Sequence, residues 1–332
     1  MSATVAVLGA GSWGTALALR VARNGFPVRL WEHDPEQVAR LARDRCNRRY
    51  LPDATFPENI QVFSALGEAL RSAQEVLIAV PSHAFSAVLS QLPKPLPEEL
   101  GIAWATKGLE PSTGRLLHEV ALEKLGQRPM AVISGPSFAK EVAREAPTAV
   151  TVASPDPRLA QRVAAYLHSE RFRVYTRADW IGVQIGGAAK NVLAIATGIA
   201  DGLGFGANTR AALITRGLAE LTRLGTALGG QQETFTGLAG LGDLVLTCTD
   251  DQSRNRRLGL ALARGIPLGA AKEEIGQEIE GVITAKSLQA TAQRLGVEMP
   301  ISEQVYQVLY EGLSPAAATR NLLMRASKAE QA

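Results

Sequence analysis

The chain has 332 residues, with 35 Lys and Arg against 32 Asp and Glu, two Cys and 46% hydrophobic side chains. At ~150 residues per domain this suggests about two domains with ample material for a large core. The charge of +3 is spread mildly, with 21 basic and 18 acidic residues over 1–180 and 14 of each over 181–332, so nothing in it points to nucleic acid. Cys46 and Cys248 form no spacing pattern and no disulfide scaffold.

The N-terminal stretch Met1–Gly14 lacks a basic region and runs directly into a strand pattern, which argues against a signal peptide. Short apolar runs follow at Val5–Leu8, Val28–Trp31, Val76–Val80, Ile102–Thr106, Val132–Ser134, Ala149–Val152 and Phe172–Tyr175. Separated by helical patterns, they predict a doubly wound parallel sheet covered on both faces, an α/β fold. Asn24-Gly25 is placed to end the first helix. Asp34-Pro35-Glu36-Gln37 is placed to start the second, with an N-cap, Pro at the first position and a capping-box partner. Leu92–Pro97 reads as a stiff connector. From Ile181 the strand signal disappears and the pattern is helical. The expected organisation is therefore a dinucleotide-binding domain over 1–180 and an all-helical domain over 181–332. Ile181–Ala200 has about the length of a membrane span, but Gln184, Lys190, Asn191 and its glycines favour a buried core helix. A cytoplasmic, soluble protein without integral membrane association is expected.

Gly9-Ala10-Gly11-Ser12-Trp13-Gly14 follows the first strand and opens a helix. In that context Gly9 serves the turn, Gly11 the approach of a pyrophosphate and Gly14 helix–strand packing, with the helix N-terminus favouring the diphosphate. Glu32, 18 residues past Gly14, ends the second strand, where an acid takes the ribose hydroxyls of NAD. His33, Arg29 and Arg45 are near enough in sequence to meet the 2′-phosphate of NADP, and Glu32 in a purely solvated role is an alternative. The choice between NAD(H) and NADP(H) stays open. The glycine clusters at Gly202–Gly206 and Gly237–Gly242 lack a preceding strand and read as bends between helices.

A nicotinamide enzyme needs a group that exchanges a proton with the substrate oxygen. His83 follows the Val76–Val80 run but equally suits the start of a helix. The lysines are the stronger candidates, because the 35 cations comprise 27 Arg and only eight Lys. Lys190 is the one charge between Asp179 and Asp201, set among small residues that suggest close approach by another element. A buried ammonium there requires a partner or ligand, the alternative being a side chain that snorkels to the surface. Lys107 ends a strand, at the edge of the expected ligand crevice. Asp243 stands behind the glycines of 240–242, and Ser253-Arg254-Asn255-Arg256-Arg257 offers hydroxyl, amide and guanidinium groups suited to phosphate. Spacing alone leads to a dehydrogenase for a small phosphorylated substrate, with no metal.

Taken together, Gly9–Gly14, Trp-Ala-Thr-Lys-Gly-Leu-Glu at 104–110, Ile-Ser-Gly-Pro-Ser-Phe-Ala-Lys-Glu at 133–141, Gly-Gly-Ala-Ala-Lys-Asn-Val at 186–192, Gly-Phe-Gly-Ala-Asn at 204–208, Gly-Leu-Gly-Asp-Leu-Val-Leu-Thr-Cys-Thr at 240–249 and Gln-Ser-Arg-Asn-Arg-Arg at 252–257 resemble bacterial NAD(P)-dependent glycerol-3-phosphate dehydrogenase. The resemblance runs in order to about residue 325. It implies reduction of dihydroxyacetone phosphate to sn-glycerol 3-phosphate, the backbone precursor of phospholipids. It further implies Lys190 as proton donor and acceptor, with Lys107 and Asp243 beside the substrate. Gly135 and Ser137 would contact substrate, and Ser253, Arg254 and Asn255 would hold its phosphate end. Ser12, Trp13, His33, Lys107, Ala139, Arg254, Glu278 and Glu280 would line the cofactor. Glu32 stands where the family often has a small residue, which tilts the expectation toward NAD. Glu278 replaces a common aliphatic, which implies a backbone contact. A homodimer is compatible with the apolar second half. Two other readings are a β-hydroxyacid-type dehydrogenase with a catalytic Lys, and a non-catalytic nicotinamide sensor.

Overall fold

The computed structural model describes residues 3–325; the tail outside the family resemblance lies outside the described residues. In chain order the strands are β1 (Thr4–Leu8), β2 (Val28–Trp31), β3 (Cys46–Asn47), β4 (Leu51–Thr55), β5 (Ile60–Phe63), β6 (Ala73–Ile78), β7 (Gly101–Trp104), β8 (Met130–Ser134), β9 (Thr148–Ala153) and β10 (Phe172–Arg177). Eight of them form one sheet in the order β5-β2-β1-β6-β7-β8-β9-β10, while β3 and β4 make a separate antiparallel hairpin. The central β1 is fully covered on both faces, with Val7 aligned to Leu30 on one side and Leu77 on the other. One apolar layer gathers Leu17, Leu19, Val163 and Leu167. The opposite layer gathers Phe85, Leu89, Trp104 and Val120. Such double coverage is why these strands read as continuous apolar runs.

The expectation of a wholly parallel sheet needs one correction. β8 and β9 pair antiparallel, so β9 and β10 run against the other six strands. Between β8 and β9 the chain turns at Gly135 (φ +144°) and makes only the five-residue helix Ala139–Ala143. That helix is too short to cover the sheet and return the chain for a parallel crossover. Three elements between residues 46 and 63 were also absent from the sequence reading. The β4 segment Leu-Pro-Asp-Ala-Thr has no apolar run, and β5 is a four-residue edge strand with Gln61 in it. Helix ends behave largely as expected. Asn24 caps the Ser12–Arg23 helix with Gly25 at φ +86°, and the Asp34 side chain accepts from the Glu36 N–H. The capping box is only half formed, because Gln37 turns to Asn47 instead of back to Asp34.

From Trp180 onward the described residues form helices only. The first, Trp180–Gly202, is long and apolar enough to cross a membrane, yet it is packed within the protein, as the core-helix reading anticipates. It crosses the Arg254–Ala263 helix at two glycines. A Cβ on Gly198 would lie 2.2 Å from the Arg256 carbonyl oxygen, and one on Gly259 would lie 2.2 Å from that of Ile195. Backbone therefore touches backbone, which draws the start of the second helix up to the middle of the first. Gly198→Ala should force these helices apart and destabilise the chain by about 1–3 kcal/mol. Urea unfolding monitored by tryptophan fluorescence reads this directly; an unchanged midpoint would contradict the close crossing.

Candidate active site

Because the strand order reverses beside β1, the chain leaves the paired carboxyl ends of β1 and β6 toward opposite faces of the sheet, and a crevice opens there. Gly11, Ser12 and Trp13 line one wall, Val80 and Pro81 after β6 the next, and Thr106 and Lys107 after β7 the floor. Gly9 takes φ +105°, and a Cβ on Gly14 would collide with the Gly9 carbonyl at 1.9 Å, so both glycines act in the turn and its packing. Beyond Gly11 itself and its two chain neighbours, no atom of the described residues lies within 4 Å of a Cβ built on Gly11. The helix behind it starts at Ser12 without a side-chain cap, and the indole N–H of Trp13 is buried without a partner among the described residues. Free donors around an open glycine fit the diphosphate and sugar of a dinucleotide.

Glu32 is neither solvated nor free. Its carboxylate accepts from the Ala10 N–H at 3.2 Å and the His33 N–H at 2.9 Å, so it also anchors the glycine loop. The His33 ring is largely exposed beside it. Arg29 bonds the Glu68 carbonyl and stacks on Phe63, while Arg45 bonds the carbonyls of Phe56, Pro57 and Ile60. Both arginines near this strand end are thus committed to backbone. Asn47 of the β3–β4 hairpin donates to the Ala10 carbonyl and to Thr15, supporting the loop from outside.

The helical half closes the crevice from the other side. Gly186 lets the Trp180–Gly202 helix meet the backbone of Ala239, where a Cβ would sit 2.3 Å from the carbonyl oxygen. Leu238–Gly242 forms a π-helical turn there, which feeds Asp243 into the helix Asp243–Thr249. Asp243 is 1% exposed and lies behind two lysines. One carboxylate oxygen takes Lys107 Nζ at 2.6 Å; the other takes Lys190 Nζ, which also donates to Thr247 Oγ1 at 2.9 Å. Lys107 reaches the Gly135 carbonyl at 3.4 Å as well.

Burial is the largest influence on Lys190 and brings its ammonium down to about 7, with Asp243 opposing and Lys107 adding to the fall. Burial alone would raise the Asp243 carboxyl, but the two ammonium groups together hold it below its ordinary value. The cluster thus has one firmly ionised acid and a lysine poised to gain or lose a proton near neutrality.

Other expected site residues fall around this cluster. Ser137 and Ala139 line the crevice after β8, with the Ser137 hydroxyl turned to the Gly135 carbonyl. Ser253, which caps the Arg254–Ala263 helix by accepting from the Arg256 N–H, lines it too. Asn255 gives one amide hydrogen to Asn191 at 3.0 Å and accepts from the Gly281 N–H at 2.9 Å. Arg254 makes no hydrogen bond or ion pair among the described residues; burial lowers its pKa, and Glu280 opposes the fall. Glu278 is exposed at the rim, and both oxygens of Glu280 accept from Ser82. Of the Arg in 256–257, Arg256 pairs with Asp201 and Asp251. No histidine lines the crevice: His118 packs on Trp180, His168 ends a helix, and His83 is exposed.

Residues missed from the sequence include Tyr50, Asn191 and Thr247, all of which line the crevice. Thr247 had a usable signal, being four residues from Asp243 on one helix face. Tyr50 had none, since it belongs to the unrecognised hairpin region.

Two family models cover this arrangement: the NAD-dependent glycerol-3-phosphate dehydrogenase N-terminus over residues 4–160 and its C-terminus over 179–320. A glycerol-3-phosphate dehydrogenase [NAD(P)+] from Shewanella amazonensis is 56% identical over 333 residues, covering 100% of this chain and 98% of that one. The chain belongs to the NAD(P)-dependent glycerol-3-phosphate dehydrogenase family. A Yersinia pestis relative of the same name is 56% identical across 99% of this chain and 98% of its own. The crystal structure of glycerol-3-phosphate dehydrogenase from Coxiella burnetii superimposes with a TM-score of 0.95 at 51% identity, covering 98% and 99% of the two chains. Membership makes the chain an NAD(P)-dependent oxidoreductase.

Asp243→Asn leaves two ammonium groups without their carboxylate and should destabilise the chain by about 3–5 kcal/mol. Without Asp243 the folded-state pKa of Lys190 drops further below 7, so between that value and about 7 the variant's native state alone has released the proton. The deficit should therefore be largest below pH 6 and shrink as the pH rises to about 7. Urea titrations at pH 5.5 and 7.5 check this, and a deficit that grows with pH would refute the shared-carboxylate arrangement.

Proposed function

We propose that this chain reduces dihydroxyacetone phosphate reversibly to sn-glycerol 3-phosphate, with Lys190 as the proton donor and acceptor. The observation that carries the reading is the buried Lys190–Asp243–Lys107 cluster at the junction of the dinucleotide crevice and the Ser253–Asn255 segment. Residues 1–180 serve as the dinucleotide-binding domain, and 181–332 as the helical domain that brings Lys190 and the phosphate grip to it. The Gly9–Gly14 loop, Ser12 and Trp13 hold the diphosphate, and Glu32 meets the ribose, where its negative charge disfavours a 2′-phosphate. Ala139, Glu278 and Glu280 complete the walls, and His33 borders the cofactor from its exposed place beside Glu32. The product is a phospholipid precursor, which fits a cytoplasmic enzyme, and the apolar helical half is compatible with a homodimer.

A bound nicotinamide dinucleotide supplies the hydride. As negative charge grows on the substrate carbonyl oxygen, the Lys190 ammonium stabilises it and delivers the proton. Asp243 and Thr247 hold Lys190 in place for this. Lys107 adds positive potential close by without being the donor. Arg254, lacking an internal partner, and Ser253, at a helix N-terminus, grip the phosphate, with Asn255 keeping one amide hydrogen for it. Gly135 and Ser137 border the substrate from the nucleotide side.

Lys190→Ala should lower kcat by about 10²–10⁴-fold while NADH binding survives. In the parent chain, dihydroxyacetone phosphate reduction should fall as the pH rises through about 7, because the donor must be protonated, and glycerol 3-phosphate oxidation should rise over the same interval. NADH oxidation with dihydroxyacetone phosphate and NADH formation with glycerol 3-phosphate, each followed across pH 5.5–9, read the two directions, and near-normal turnover of the variant would overturn the assignment. Arg254→Ala should raise KM for dihydroxyacetone phosphate by about 10–100-fold, the loss of a charge-assisted contact. An unchanged KM would place the phosphate elsewhere.

A further inference from the structure

Outside the lysine cluster, one polar contact between the two halves involves Ser82. This residue begins the helix Ser82–Gln91, whose N-cap is Pro81 and supplies no side-chain cap. Glu280 performs that task from 198 residues away: its carboxylate accepts the Ser82 N–H at 3.0 Å and the Ser82 hydroxyl at 2.7 Å. Glu280 itself begins the helix Glu280–Leu295. One carboxylate therefore sits between the positive ends of two helices, one from each half of the chain. Burial pushes its pKa up, and the two Ser82 hydrogen bonds oppose that. Gly108, at φ +140°, closes the third side, since a Cβ there would lie 2.8 Å from Ser82 Cβ and 3.3 Å from a Glu280 oxygen.

The contact continues toward the chemistry. The next residue, Gly281, donates its N–H to Asn255 at 2.9 Å, Asn255 donates to Asn191 at 3.0 Å, and Asn191 adjoins Lys190. At the other end, Val80 and Pro81 line the crevice immediately before Ser82. A short series of hydrogen bonds thus links the crevice wall to the residue beside the lysine. We propose that Ser82 is a positioning residue, which through Glu280 seats the helical half so that Lys190 stands at the correct height over the dinucleotide crevice. The proposal rests on the functional reading above, and it assigns Ser82 no contact with substrate or cofactor.

The test uses the full chain with Ser82→Ala, Ser82→Thr, Glu280→Gln and the Ser82→Ala/Glu280→Gln pair. For each, kcat and KM for dihydroxyacetone phosphate are measured at saturating NADH, and the binary NADH Kd by fluorescence. Ser82→Ala should lower kcat by about tenfold, since small misplacements of a reacting group are expensive. Its NADH Kd should move by less than about twofold, Ser82→Thr should recover most of the rate, and the pair should be no slower than Glu280→Gln alone. A kcat for Ser82→Ala within about twofold of the parent, a loss that disappears once NADH is saturating, or single effects that multiply independently would each overturn the pairing. A parent chain unable to turn over dihydroxyacetone phosphate would instead overturn the functional reading, so the two failures are distinguishable.

Discussion

A single buried carboxylate shared by two ammonium groups governs the geometry of this protein. Asp243 comes from the helical half, Lys107 from the loop three residues past the end of β7, and Lys190 from the middle of the central helix. Removing any of them from water is costly, and their mutual attraction offsets the cost only when the three meet at hydrogen-bonding distance. The sheet and the helices consequently cannot slide past one another without exposing an uncompensated charge. The same arrangement leaves an excess of positive charge facing the crevice, as an anionic substrate and a developing oxyanion require.

Glycines permit this meeting by letting backbone approach backbone. Gly186 admits the turn that carries Asp243, and Gly187 leaves room for Ser134 and the Lys107 stem. Gly198 and Gly259 draw the Ser253–Asn255 segment against the central helix. The π-helical turn at Leu238–Gly242 then rotates Asp243 inward, where an uninterrupted α-helix would carry the residue to a different azimuth. Packing and chemistry are here one problem, because the small residues that allow close approach also decide which charges touch.

The crevice itself follows from sheet topology. The strand order changes direction at β1, so the loops after β1 and β6 separate and expose the uncapped N-terminus of the Ser12–Arg23 helix. Glu32, at the end of β2, fastens the glycine loop through Ala10. Neighbouring cations that sequence proximity put in contention, Arg29 and Arg45, are engaged with carbonyls. Sequence distance alone could not distinguish an arginine awaiting phosphate from one holding a loop.

Much of this was legible in the amino-acid sequence. Double burial makes central strands uniformly apolar, the glycine loop is spaced by the turn it must make, and a lone lysine in an apolar helix signals a requirement for a partner. Residues such as Lys107, Lys190 and Arg254 could therefore be singled out individually, and the family resemblance ordered them. The short edge elements between residues 46 and 63 were not legible, because a half-exposed strand and a hairpin containing Pro52 carry no strong apolar period. Nor was the reversal of β9 and β10, since strand direction is set by the connection and not by the strand's own residues. That Asp243 serves both lysines, that Asn255 is tied to Asn191 and Gly281, and that Glu280 caps a helix at Ser82 were decided only by tertiary structure. Those contacts join residues from 26 to 198 positions apart. A local pattern fixes what a side chain can offer; only the packed backbone determines which distant group receives it.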